Sequence, residues 1–414
     1  MAGAIMRRFG LALGVVGSVA IGGFALSQGG EAQPAAGPKA RYWIDAETTS
    51  GMGAGMNPMA MLTGRGGGNS AQRSLLFRLG STQAPTGGAP KADHFVPPVL
   101  RLGQSVPLET PVPRPQEDAR PTDMQRPKGR LRVYWGCGDR VAPGQPVVID
   151  FAKVAAGQFP PNFWTAKVPV EQGPSRANSR TYGHWPNTLD RNRKPLHSAA
   201  SLIGQHRVAG NYAPEIGFAL NQDFMPGVQL RSAAAPAGGV ALNWQPVTGA
   251  TGFYALAIGG MGQGGGDSLD IVWWASSNSR EFGGGLTDYL PPATVARLIG
   301  QKIVMPPTQT SCTIPAEVKA AAGPVLMTTL TAYGPEANFV HPPRPADPKV
   351  PWRPEWTAKV RYKSQAMTLA GMDMGAMMGA AADDDRPAKP RDCTPKKRGL
   401  GGLLGKAIGV PTDC

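Results

Sequence analysis

The stretch Val240-Ala-Leu-Asn-Trp-Gln-Pro-Val-Thr-Gly-Ala-Thr-Gly-Phe-Tyr-Ala-Leu-Ala-Ile258 decides the fold class. Val240, Leu242 and Trp244 alternate with Ala241 and Asn243, so their side chains fall on one face of a pleated strand. Pro246 and Gly249 then turn the chain, and Tyr254, Leu256 and Ile258 resume the period of two. This is the pattern of two neighbouring half-buried strands.

The same alternation extends outward. Asp270-Ile-Val-Trp-Trp-Ala275 reads as a strand with a tryptophan on each face, Ser311 to Pro315 as a short strand, and Val325 to Gly334 as a longer one. Between them the spacing switches. Pro292 suits a first helical turn, Val295, Leu298 and Ile299 share a face, and Gly300 ends the helix. With Trp244 as core tryptophan and an Ala-Tyr-Gly ending at Gly334, residues 227–345 resemble a fibronectin type III domain, here with a short inserted helix. That resemblance implies a β-sandwich and no particular activity, because such folds host adhesion, spacing and sugar binding alike.

Upstream, Arg130 to Trp135, Val147 to Phe151, Ser201 to Val208 and Glu215 to Asn221 alternate in the same way. The expected architecture is therefore all-β, with one β-sandwich domain over 130–226 and a second over 227–345. Residues 33–129 are expected to be irregular, with isolated strands at Arg41 to Asp45 and Ser74 to Leu79 and a proline-rich strap from Pro97 to Pro127. Residues 346–414 read as a basic Pro/Met/Gly-rich tail. The polar stretch from Asn162 to Lys194 shows neither period and reads as a long loop. Its Tyr182 and Trp185 are candidate binding residues if exposed, or a satellite cluster if they fold back over the sheet.

Arg7 and Arg8, an apolar run from Phe9 to Leu26, and the small residues before Gln33 have the order of a secretory signal peptide occupying 1–32; an uncleaved membrane anchor is the alternative. Loss of Arg7, Arg8 and Glu31 with such a leader turns the net charge of +14 into +13. In an exported chain with scattered basic residues this points to anionic envelope surfaces and away from nucleic acid. Cys137, Cys312, Cys393 and Cys414 allow two disulfides in three connectivities. Cys393 with Cys414 is the first expectation, since that pair closes a tail loop, and it leaves Cys137 for Cys312.

The five histidines have no metal-ligand spacing, and no nucleophile elbow, phosphate loop or Cys-x-x-Cys clip occurs. Methionine is concentrated instead. Met52, Met56, Met59 and Met61, and then Met367, Met372, Met374, Met377 and Met378, have spacings similar to the thioether motifs of exported copper-handling proteins, and soft sulfur suits Cu(I); because neither run contains a histidine or cysteine to complete a site, methionine in a flexible glycine-rich linker or buried opportunistically is the favoured reading and copper the weaker alternative. Lys396 to Gly409 joins a basic cluster to an apolar glycine-spaced stretch, similar to membrane-active peptides that rest on anionic lipid.

The reading that joins these features is an exported, non-catalytic envelope binding or scaffold protein without a cofactor, whose partner is an envelope protein or glycan. A periplasmic Cu(I)-binding protein and a hydrolase with its site between the two domains are the alternatives.

Overall fold

A computed structural model describes residues 37–54, 71–111, 128–158, 168, 170–186, 196–260, 268–281, 284–323, 325–347 and 349–370. The fold is all-β. Among the described residues sixteen strands run in chain order: β1 Ala40–Gly51, β2 Gln72–Ser81, β3 Ala92–Phe95, β4 Ser105–Pro107, β5 Lys128–Trp135, β6 Val147–Asp150, β7 Thr181–Trp185, β8 Gly204–Gly210, β9 Ile216–Leu220, β10 Leu230–Ala234, β11 Val240–Trp244, β12 Gly252–Gly259, β13 Ser268–Ala275, β14 Ser311–Ile314, β15 Leu326–His341 and β16 Trp356–Ala370. Three short α-helices accompany them there, α1 Phe151–Ala155, α2 Pro292–Gly300 and α3 Ala316–Ala322.

Nine strands form one mixed sheet in the order β6-β5-β13-β12-β15-β16-β1-β2-β7. Its two parallel junctions, β5 with β13 and β16 with β1, flank the antiparallel centre β13-β12-β15-β16. Two smaller sheets cover its inner face. The sheet β10-β11-β14 lies over one lobe and β4-β3-β8-β9 over the other.

The alternation in the sequence explains the layers. Val240, Leu242 and Trp244 of β11 face Phe253, Ala255 and Trp274 in one buried core, with the Trp244 and Phe253 rings 5.5 Å apart. Tyr42, Ile44, Phe77 and Leu79 of the large sheet meet Val208, Ile216 and Phe218 in the other lobe. Both sets belong to a single contiguous core. Burying each such large side chain contributes about 2 kcal/mol. On the opposite face of the sheet, α2 lays Val295 and Leu298 over Tyr254, Leu256 and Tyr333, with Pro292 in its first turn as the sequence anticipates.

The division at residue 226 does not describe this molecule. β5 and β6, expected in a first domain, extend the sheet of the second through β13, whereas β7, β8 and β9 return to the other lobe. The anticipated irregular region contains β1 and β2, and β1 is paired along its length with β16. The connection from β9 to β10 is bound to this seam: Thr48, Ser364 and Ser50 donate to the carbonyls of Met225, Pro226 and Val228 at 2.7, 2.8 and 2.6 Å. The segment read as a tail holds β16. Its period-two signal is plain, with Trp356, Ala358, Val360 and Tyr362 buried in the core and Lys359, Arg361 and Lys363 between them. A basic composition concealed that alternation.

Cys137 and Cys312 are joined, Cα to Cα 5.3 Å, across 175 residues of sequence. The bond ties the loop after β5 to β14. Cys393, Cys414, the leader and the Lys396 to Gly409 stretch lie outside the described residues. Closing so long a loop removes denatured-state entropy worth about 5 kcal/mol in the chain-entropy picture. Reduction, or Cys137→Ser with Cys312→Ala, should lower the urea midpoint with native-like circular dichroism retained; an unchanged midpoint would show that the cross-link constrains nothing.

Candidate functional site

The outer face of the lobe built on β1, β2, β15 and β16 carries an unusual density of charge. Residues of odd number on β1 and β16 point away from the core, which sets Trp43, Asp45 and Glu47 beside Lys359, Arg361 and Lys363 in the parallel register Trp43↔Lys359, Asp45↔Arg361 and Glu47↔Lys363. Arg361 Nε donates to Asp45 Oδ1 at 2.7 Å, and Arg78 of β2 engages the other oxygen. Both members of the first pair are nearly inaccessible, at 4% and 5% exposure.

Two rings flank the Arg361 guanidinium, Trp43 at 4.6 Å and Tyr289 at 4.5 Å. Lys359 and Arg78 also approach Trp43, at 5.1 and 5.4 Å, and Lys363 approaches Tyr289 at 4.7 Å. Burial works against the charge on Arg361, but the Asp45 hydrogen bond and carboxylate outweigh it and raise its affinity for the proton. The Tyr289 hydroxyl is pushed well above the ordinary tyrosine range by burial and by the Asp45 and Glu47 charges, so it stays protonated.

A segment from Val170 to Arg180 closes over this face. Lys359 Nζ binds Glu171 at 2.5 Å and Glu336 at 3.5 Å. Gly173 lies so near Trp43 and Arg78 that a β-carbon there would stand 2.8 Å from each, which excludes any larger residue without a shift. Asn178 holds the turn, accepting from Ser175 N and donating to Gly173 O, both at 2.9 Å.

Beyond this cover the face opens into a cleft of about 400 Å³. Arg41, Trp43, Asn338, Thr357 and Lys359 lie on its sheet floor, Glu171 and Gln172 on one wall, and Trp352 on the other. Trp352 is held by its indole N–H, which donates to Pro342 O at 3.0 Å. Among the described residues, Arg41 reaches only the Asn178 carbonyl, at 3.5 Å. A wider groove of about 630 Å³ lies between Phe95 to Val99 and Ile203 to Arg207, but there Arg207 is stacked on Phe95 at 3.8 Å and paired with Glu215 at 3.1 Å, so its guanidinium is already engaged.

Comparison with protein-family models finds no match, and neither a curated protein nor a solved structure matches the chain.

The sequence-derived candidates fall elsewhere. Tyr182 and Trp185 are in β7, a paired strand and not an open loop. Trp185 stacks on Phe77 at 5.2 Å and packs against the core, while Tyr182 stacks on His184 at 5.7 Å. Both rings are half-buried. The strand escapes a periodicity search because Gly183 supplies no apolar side chain on the inner face. Met52 follows β1 and Met367 belongs to β16; Met56, Met59, Met61, Met372, Met374, Met377 and Met378 lie outside the described residues. Among the described residues no three His, Cys, Asp or Glu side chains converge as metal ligands.

Two histidines do converge, inside the core. His206 Nε2 must donate to Leu202 O at 2.7 Å, so its bare Nδ1 accepts from His94 Nε2 at 3.0 Å, and His94 Nδ1 accepts from the Tyr42 hydroxyl at 2.8 Å. Every polar atom of the relay is satisfied only when both rings are neutral. Burial lowers both imidazoles below their ordinary 6.5, and for His94 the neighbouring His206 adds to the effect.

Two outcomes follow from these clusters. Asp45→Ala strands the Arg361 and Arg78 charges and should cost about 4 kcal/mol in chemical denaturation; a loss below about 1 kcal/mol would show a solvent-screened pair. Because the unfolded chain takes up protons at His94 and His206 below pH 6.5 and the folded chain resists, stability is complete above that pH. It should decline on acidification by up to about 1.4 kcal/mol per pH unit per histidine, and a flat profile from pH 7.5 to 5 would refute the neutral relay.

Proposed function

We propose that this chain is an exported, non-catalytic envelope protein, a binding or scaffold module whose contact site is the cleft between Trp43 and Trp352. One observation carries the reading. The side chains of Arg41, Gln172, Asn338 and Thr357 line a recess fixed by a paired sheet, yet among the described residues none has a strong partner within the protein. Polar groups arranged on a rigid scaffold and left for an outside partner are the mark of a recognition site. The ionic cluster beside it holds strands together, which is a structural task.

Export is supported by the order of charge, apolar run and small residues in 1–32, with cleavage near Gln33. The Cys137 to Cys312 bond fits an oxidising compartment. No helix among the described residues is long and apolar enough to cross a membrane. The partner on this reading is an envelope protein or glycan, not nucleic acid, and the Lys396 to Gly409 stretch makes peripheral contact with anionic lipid. For the lobe from β10 to β16 we propose a fibronectin type III-like descent, supported by the facing orders β10-β11-β14 and β13-β12-β15-β16.

A Cu(I) reading draws on one specific juxtaposition. β1 and β16 are parallel and pair Gly51 with Met367, so Met52 and Met367 stand at one end of the sheet, from which both methionine-rich stretches continue in sequence. Anaerobic Cu(I) titration separates the two: stoichiometric binding abolished by Met52→Leu with Met367→Leu favours copper handling.

The test of the leading reading uses mature chain 33–414 as bait in envelope extracts, beside an Asn338→Trp variant that fills the cleft. Recovery of one stoichiometric partner, protein or glycan, by the unmodified chain alone is the expected result. Equal recovery by both would remove the cleft from the mechanism.

A further inference from the structure

We infer that the cleft takes an acidic saccharide, a short chain of uronate sugars; the inference rests on the binding reading above and gives it a ligand class. Charge is the first argument. Lys359 is held by Glu171 and Glu336, whose two carboxylates outnumber its single charge, whereas Arg41 meets no carboxylate among the described residues. A second guanidinium, Arg344, lies 5.6 Å over the Trp352 ring, next to but not among the residues that line the cleft, and likewise has no acidic partner among the described residues. The planar fork of arginine matches a carboxylate through two parallel N–H bonds, so a ligand with carboxylates is favoured over a neutral one.

The second argument is the remaining lining. Asn338, Gln172 and Thr357 offer amide donors and acceptors and a hydroxyl, the complement of sugar hydroxyls that both give and receive hydrogen bonds. Trp352 adds a half-exposed indole whose face suits the apolar C–H side of a pyranose ring. An extended acidic peptide fits less well. It binds best by adding to a strand edge, and β16 in the middle of the floor is already paired with β15 on one side and β1 on the other. Recognition there must come from side chains. The volume of about 400 Å³ is at the small end of ligand sites, which limits the seat to a short oligosaccharide.

Calorimetric titration of the mature chain with trimers of galacturonate, glucuronate and mannuronate, each beside its neutral counterpart, tests this. Arg41→Gln and Trp352→Ala both lie on the surface of a paired or looped segment, and circular dichroism checks their folding. A third variant, Lys396→Gln with Lys397→Gln and Arg398→Gln, controls for polyanion binding by the basic stretch near the C-terminus. One uronate trimer should bind at a single site, weaken at least tenfold in each cleft variant, and be unaffected by the third. Loss only in the third variant would assign the affinity to diffuse positive charge and overturn the site. Neutral trimers binding equally well would overturn the acidic class while leaving a glycan-binding protein. Failure of all three uronates would overturn the inference; if the envelope bait experiment still recovers a partner, the binding reading survives it.

Discussion

The Arg361 guanidinium, bonded to Asp45 and enclosed between Trp43 and Tyr289, is the interaction on which the rest of this lobe depends. A charge that deep is tolerated only when its partner is equally buried and its geometry is held from several directions. Here β1 supplies the carboxylate and one ring, β16 the guanidinium, and the segment before α2 the other ring. The parallel junction of β1 and β16 has little else on its outer face. Apart from Trp43, the apolar residues from Ala40 to Ala46 and from Trp356 to Tyr362 point inward, and without Asp45 and Glu47 that face would be a row of competing cations.

That junction also joins the ends of the chain's described part. β1 opens it and β16 closes it, so the large sheet is complete only after nearly the whole chain has been placed. The two lobes consequently share strands and one core, and the connection from β9 to β10 is bound by hydroxyls of β1 and β16 at the seam. The Cys137 to Cys312 bond provides the matching tie at the other lobe, fastening β5's loop to the small sheet. Such interleaving is costly in loop entropy and slow to form. Once formed, it holds the cleft floor as one rigid surface.

The polar groups of the molecule divide accordingly. The relay of Tyr42, His94 and His206 and the ionic cluster around Asp45 are internally satisfied to a large degree, and their chemistry is spent on cohesion. The cleft differs because Arg41, Asn338, Gln172 and Thr357 are positioned without being used. The surface proposed for recognition carries no sequence motif, since its residues come from β1, β15, β16 and the cover segment, more than 300 positions apart at the extremes.

Local order was legible wherever one face of a strand is apolar and the other is not. Val240 to Ile258, the tryptophans of β13, and the helix begun by Pro292 all appear where alternation or helical spacing places them, because these patterns are set by backbone geometry within a few residues. β7 was hidden by Gly183, and β16 by its lysines and arginines, whose outward faces looked like tail. The sequence by itself determined the all-β class, most strands of the 227–345 region and the availability of cysteines for a bond. Only the tertiary structure decided that Cys137 meets Cys312, that β1 lies beside β16 in parallel, and that Trp43, Trp352 and Arg41 enclose a cleft. Strand partners and convergent side chains depend on contacts between residues distant in the chain, and no local period encodes which distant strand will supply the missing neighbour.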